Sequence, residues 1–312
     1  MKSLAITSRS FSRNHFLRNE VLEYYPDAKF NDLGVSLKGQ ALIEFLKGYE
    51  KAITALEVID EEILSQLPNL KVIGKFGVGL DMLDLFAMKK YGVSLGWEGG
   101  VNKRSVSELV ISFSIDLLHR ATLANAKVKN GEWGQIQGRQ LSDCTVGIIG
   151  CGNIGKDLVK LLKPFNCNIL VNDIINFDKF YKQNNLTPVG IDELLTKSDV
   201  VSLHLPLNSS TENIIDKSRI QMLKRNAVLI NLARGGLIDE IALKQAIKNK
   251  QILGAALDVF AIEPPKDFEF ALLDNVIVTP HIGGSTEEAI IAMGRAAING
   301  LMNPKDPLLL SN

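Results

Sequence analysis

Three cysteines, four histidines and two tryptophans are all that 312 residues supply of those types. The cysteines, Cys144, Cys151 and Cys167, are odd in number and follow no metal-ligand spacing. No metal site and no disulfide framework are therefore expected, and reduced, buried thiols of a cytoplasmic protein are. Long apolar runs are missing too. No stretch approaches the roughly 18 residues that would cross a bilayer, so no membrane partner is expected. The opening Met1-Lys2-Ser3-Leu4-Ala5-Ile6-Thr7 is too short for the apolar core of a signal peptide and reads as a first strand. An excess of charge is also absent. The 35 basic and 35 acidic side chains cancel, which leaves no electrostatic footprint for a nucleic acid.

What is present suffices for two domains of ordinary size, with 46% apolar residues to fill their cores. The first hundred or so residues alternate strand candidates at 4–7, 52–55, 72–75 and 93–95 with helical spacing over 37–49 and 61–67. That alternation predicts a parallel sheet with covering helices. Ser105-Val106-Ser107-Glu108 has the form of a capping box. Val106, Leu109, Val110, Phe113, Leu117 and Leu118 follow at helical spacing, so a long helix is expected from about Arg104 to Lys127. A second series then places strands at 146–149, 168–173, 199–204, 227–231, 254–258 and 276–279. Six strands separated by helices fit the doubly wound dinucleotide fold. After Gly284 an amphipathic helix closes the chain. Its start beyond the sixth strand suggests a return to the first domain. The expected domains are thus 1–99 plus 285–312, and 100–284.

Gly150-Cys151-Gly152-Asn153-Ile154-Gly155 matches G-x-G-x-x-G, with a strand before it and a helix after it. Gly150 permits the tight turn, Gly152 lets a pyrophosphate approach the backbone, and Gly155 lets helix and strand pack closely. The helix start then offers free N–H groups to the phosphates. Asp173 ends the next strand, where a carboxylate accepts from ribose hydroxyls and repels a 2′-phosphate, so NAD is expected rather than NADP. An ordinary glycine-rich turn is the bland alternative.

Three further groups sit at strand ends, where open parallel sheets bind ligands. Arg234, within Ala233-Arg234-Gly235-Gly236, can grip a carboxylate with two parallel hydrogen bonds, although a lone arginine in a turn is as often merely exposed. Asp258 ends the fifth strand and Glu263-Pro264 lies beyond it. His281 follows the sixth. A hydroxyl that loses hydride must also lose a proton, and histidine titrates in the useful range. A carboxylate neighbour would orient it. Alone, His281 would read as structural. With Arg234 and Glu263 at the same edge it reads as an acid/base. His15, His119 and His204 are weaker candidates. Gly77-Val78-Gly79-Leu80-Asp81 offers backbone N–H groups that could meet an anion, or is a plain strand-to-helix turn.

Taken together, these segments resemble the D-isomer-specific 2-hydroxyacid dehydrogenase family over about residues 70–288. Thr279-Pro280-His281-Ile282-Gly283-Gly284 looks most like its phosphoglycerate-dehydrogenase-type branch. The resemblance implies a Rossmann NAD domain inserted into a flavodoxin-like substrate domain, usually dimeric, with the helix from Arg104 as a candidate dimer surface. It implies that Arg234 binds the substrate carboxylate and C2 oxygen, that His281 exchanges the proton and that Glu263 pairs with it. By the same resemblance Asp258 meets the nicotinamide carboxamide. Gly150, Gly152, Asn153, Ile154, Gly155, Asp173, Leu205, Pro206, Ala233 and Gly284 line the NAD site, and Val78 and Gly79 offer N–H groups to the substrate. Two departures bear on the substrate. Phosphoglycerate-acting members tend to carry an arginine where this chain has Thr54 and Glu57, and no appended regulatory domain is expected within these 312 residues. The implied activity is NAD-dependent interconversion of a small D-2-hydroxy acid and its 2-oxo acid, such as 3-phosphoglycerate, glycerate/hydroxypyruvate or glyoxylate. The alternative is an NAD(H)-sensing, corepressor-like interaction protein on the same scaffold.

Overall fold

In the computed structural model, which describes residues 2–310, the chain forms two compact units. One is Met1–Asn102 with Ser285–Asn312, and the other is Lys103–Gly284. The first crossing thus falls at Asn102/Lys103 rather than at 99/100. Met1, Ser311 and Asn312, which the expected first domain included, lie outside the described residues.

The first unit is a five-stranded sheet of β1 (Lys2–Ile6), β2 (Lys29–Phe30), β3 (Tyr49–Thr54), β4 (Val72–Lys75) and β5 (Ser94–Gly96), in the order β2-β1-β3-β4-β5. Every pairing is parallel. This is the flavodoxin-like order. Side chains alternate between its two faces, as the strand period of two requires. Leu4 and Ile6 join one apolar cluster with Phe11, Leu17 and Ile298, while Ala5 joins Leu42, Leu46 and Ile73 on the other side.

The second unit is a seven-stranded, all-parallel sheet. Its strands are β6 (Thr145–Ile149), β7 (Asn168–Asn172), β8 (Thr187–Pro188), β9 (Val200–Leu203), β10 (Val228–Asn231), β11 (Gly254–Leu257) and β12 (Val276–Val278). The order β12-β11-β10-β9-β6-β7-β8 reverses between β6 and β9. Such a switch point opens a crevice beyond the carboxyl ends of the two strands. The central strands are buried on both faces: Val228 and Ile230 point into one cluster and Leu229 into the other.

Three local expectations change. The two-residue strands β2 and β8 are too short to leave an alternating pattern. The capping box does not cap: the helix begins at Lys103, so Ser105 and Glu108 lie inside it, and the Ser105 hydroxyl instead donates to the Gly283 carbonyl at 2.6 Å. The long helix is also broken. Arg120 takes φ 58°, a left-handed conformation that ends one helix at His119 and starts another over Ala121–Lys129. Apolar spacing carries no signal for that break, because the second helix buries none of its residues. The final helix runs Glu287–Met302, capped by the Thr286 side chain.

Within the first unit, Gly300 of that final helix lies against the backbone of Gly96 on β5, and a Cβ on either would overlap the other. Glycine to alanine inside a helix ordinarily stabilises by about 1 kcal/mol. Here the sign reverses: Gly300→Ala is expected to cost about 1–3 kcal/mol through overpacking. Denaturant unfolding of the full chain measures this, and parental stability would show that the two backbones part without penalty.

Candidate active site

The residues picked out in the second unit all follow strands of its sheet, so the parallel direction brings them to one edge. Gly150 directly follows β6, adopts φ +96°, and its N–H donates to the Asn172 carbonyl at 2.8 Å. A Cβ at Gly150 would press on the His204 carbonyl, and one at Gly155 would overlap the Gly150 carbonyl. These two glycines are therefore demanded by packing. Gly152 is different: nothing lies within 4 Å of where its Cβ would stand. It is the N-cap of the helix Asn153–Leu162 and offers no side-chain cap to the first turn. Free N–H groups facing open space form the cradle that a dinucleotide pyrophosphate requires, and the residues present fit that cofactor. Asn153 is exposed and Ile154 half-buried on that first turn.

Asp173 follows β7 and aims its carboxylate at the glycine loop. Oδ2 accepts from the Cys151 N–H at 2.6 Å and Oδ1 from the Ile175 N–H at 2.8 Å. Both oxygens are thus met by backbone amides, which fixes the carboxylate beside the glycine loop. Cys151 is buried, and that burial pushes its thiol up to about 11. Cys144 is buried and Cys167 partly so; all three are free. Beyond β9 come His204, the half-buried Leu205 and the exposed Pro206. Burial holds the His204 imidazole down at about 4, and its Nδ1 finds no partner while Nε2 lies 3.0 Å from the Ser202 hydroxyl.

Beyond β10 the chain turns sharply at Arg234. The buried Asn231 side chain accepts from the Ala233 N–H at 3.1 Å and donates to the Arg234 carbonyl at 2.8 Å, which fixes the turn. One guanidinium nitrogen of the half-buried Arg234 donates to the Ala233 carbonyl at 2.6 Å. Gly235 then lies so close to the Phe260–Ala261 peptide that no side chain would fit.

Asp258, 1% exposed at the end of β11, organises the next loop. Oδ1 accepts from the Thr279 hydroxyl at 2.5 Å and from the Ile282 N–H at 2.7 Å; Oδ2 accepts from the Gly283 N–H at 2.7 Å. Its backbone carbonyl accepts from the His281 N–H at 2.9 Å. The carboxylate that the resemblance assigns to the nicotinamide carboxamide is thus engaged by the loop that carries His281. Sequence gave no sign of this, since the donors are mostly backbone groups. His281 itself stands at φ +56°. Its Nδ1 is 2.8 Å from Glu263 Oε2, while Glu263 Oε1 accepts from the Phe260 N–H at 3.1 Å. The imidazole is exposed. The loops of Arg234, Glu263 and His281 therefore touch in succession.

In the first unit, Val78 and Gly79 lie in the half-exposed loop after β4. The indole N–H of Trp97 donates to the Val78 carbonyl at 3.1 Å, which leaves the N–H groups of that loop unblocked by this contact. No group of three or more candidate metal-ligating side chains occurs among the described residues. No helix there is long and apolar enough to cross a membrane.

Comparison with known proteins adds an independent line. Residues 111–283 match the family model described as D-isomer specific 2-hydroxyacid dehydrogenase, NAD binding domain. The chain is 36% identical to a D-3-phosphoglycerate dehydrogenase of Methanocaldococcus jannaschii, over 84% of this chain and 51% of that one. It is 32% identical to a glyoxylate reductase of Thermococcus litoralis, over 90% and 86% respectively. The chain thus spans about half the length of the phosphoglycerate dehydrogenase. Among solved structures it resembles a D-lactate dehydrogenase of Aquifex aeolicus complexed with NAD and lactic acid. That match has a TM-score of 0.83 and 27% identity, and it covers 96% of this chain and 94% of that one.

The contrast among the glycines yields a test. Gly152→Val should leave thermal stability near the parental value, because it meets only open space. It should weaken NADH binding at least tenfold, read by fluorescence titration. Parental NADH affinity in Gly152→Val would place the pyrophosphate elsewhere.

Proposed function

The chain belongs to the D-isomer-specific 2-hydroxyacid dehydrogenase family, and from that premise we propose that it interconverts a small D-2-hydroxy acid and its 2-oxo acid with NAD. The observation that carries the reading is the Glu263–His281 pair at 2.8 Å, held at the same sheet edge as Arg234 and the glycine cradle. When bound, the nicotinamide supplies or accepts the hydride at C2.

The chain's own residues do the rest. Arg234 binds the substrate carboxylate and C2 oxygen, its planar guanidinium fixing the acid by paired hydrogen bonds. In oxidation, His281 Nε2 takes the C2 hydroxyl proton. In reduction, protonated His281 returns it to the carbonyl oxygen. Glu263 orients the ring through Nδ1. Gly150, Gly152, Asn153, Ile154, Gly155, Asp173, Leu205, Pro206, Ala233 and Gly284 form the dinucleotide site, with Asp173 directing preference to NAD. The assignment of Val78 and Gly79 to the substrate carboxylate rests on the family resemblance alone. Thr54 and Glu57, where phosphate-binding members tend to have arginine, favour an unphosphorylated acid such as hydroxypyruvate or glyoxylate.

The deciding experiment is turnover of a panel of 2-oxo acids, phosphorylated and not, with NADH and NADPH. Reduction of at least one, with kcat/KM for NADH well above that for NADPH, is expected. No turnover with any would favour an NAD(H)-sensing interaction protein, and equal use of the two cofactors would remove the role given to Asp173.

The catalytic groups can be tested singly. His281→Gln should lower kcat by about a hundred- to ten-thousandfold with NADH binding little changed, the range usual for general acid–base catalysis. Arg234→Lys should lower kcat/KM tenfold or more, because the ammonium keeps the charge and loses the fork. Glu263→Gln replaces the carboxylate at Nδ1 with a neutral amide and should lower kcat less than His281→Gln does. A parental kcat in Glu263→Gln, or an active His281→Gln, would mean the pair is wrongly assigned.

A homodimer is part of the same reading. The helix Ala121–Lys129 buries no residue, and the chain beyond it exposes Trp133 at 91%. Helices this short draw their stability from packing, and a second copy would supply it. Light scattering at micromolar concentration should give twice the chain mass. A strict monomer would discard this part.

A further inference from the structure

The Phe260–Ala261 segment is held at three points, and the proposed reaction uses only one of them. The Phe260 N–H donates to Glu263, the carboxylate that orients His281. The backbone of Gly235, next to Arg234, lies directly against the following peptide, between Phe260 and Ala261. The third grip is Glu240, whose Oε1 accepts from the Ala261 N–H at 2.7 Å. Two carboxylates therefore hold successive amides of one loop.

Glu240 stands at the first position of the helix Glu240–Lys248, itself capped by Asp239, whose side chain accepts from the Ala242 N–H at 2.9 Å. That helix begins a few residues after Arg234 in the chain. Lys244, one turn along, is engaged at 2.7 Å by both Asp267 and Glu269. The Glu240 carboxylate is half-buried, and burial and the neighbouring Glu263 carboxylate raise its pKa against the lowering effect of the Ala261 N–H. A helix start favours a carboxylate for its own sake. That preference does not require the side chain to reach across to another loop, as this one does.

We infer that Glu240 is a positioning residue. By holding the Ala261 N–H it sets the distance between the loop of Arg234 and the loop of Glu263, and so keeps the substrate clamp in register with the proton relay. What matters in this role is an acceptor oxygen at the right reach, with the charge secondary. The inference rests on the proposed function for its kinetic consequence and on geometry alone for its structural one.

The reach and the charge can be separated in the full chain. Glu240→Asp keeps the charge and the helix-start preference but shortens the side chain by one methylene. Glu240→Gln keeps the reach and the acceptor but loses the charge. Glu240→Asp should lower kcat for 2-oxo acid reduction about tenfold to a hundredfold, the effect expected when reacting groups shift by about an ångström. NADH affinity should hold, and amide hydrogen exchange at Ala261 should quicken. Glu240→Gln should restore kcat and exchange to within about twofold of the parent. Parental kcat and exchange in Glu240→Asp, or a Glu240→Gln as impaired as Glu240→Asp, would overturn the role. An active His281→Gln would sink the catalytic reading separately, and hydrogen exchange at Ala261 would still decide whether Glu240 holds the loop.

Discussion

A single buried carboxylate underlies the arrangement at the sheet edge. Asp258 lies at the end of β11 with almost no exposure and collects a hydroxyl and two backbone N–H groups from the loop after β12. Burying an ionised carboxylate is costly unless donors meet its oxygens, and here donors reach both. The loop consequently cannot drift without exposing that charge to an unpaired interior. His281 lies between Thr279 and Ile282, two residues whose groups Asp258 holds, so the imidazole inherits its position from a residue it need not touch through its ring. Glu263 then only has to orient the ring.

The same economy recurs along the edge. Parallel strands end together, and each loop leaving a strand is locked to the next by a polar or steric contact. Asn231 fixes the turn of Arg234, Gly235 abuts the peptide whose N–H Glu240 holds, Glu263 holds the amide before it, and Glu263 reaches His281. At the switch point, Gly150 and Gly155 are consumed by close packing, which leaves Gly152 as the one facing space. A scaffold of this kind holds the side chains of the edge in fixed relation to one another while the loops remain largely exposed.

Much of this was legible in the sequence. The glycine fingerprint, Asp173, Arg234, Glu263 and His281 announce themselves because their chemistry depends on residue type and on position relative to strands with strong apolar patterns. The two parallel sheets were legible for the same reason. The capping-box reading of Ser105 failed because a hydroxyl bonds whatever acceptor the tertiary structure brings near, and here that acceptor is the distant carbonyl of Gly283. The break at Arg120 was invisible because the helix beyond it has no buried face to mark its phase. The engagement of Asp258 and the reach of Glu240 were hidden too, since their partners are backbone amides, which every residue but proline carries.

The backbone at His281 carries a cost of its own. A residue with a Cβ held at φ +56° is strained by about 1–3 kcal/mol, a penalty that glycine would escape altogether. Glycine would relieve that strain but would also remove the imidazole that meets Glu263 and loosen the unfolded chain, so the two effects on stability oppose each other.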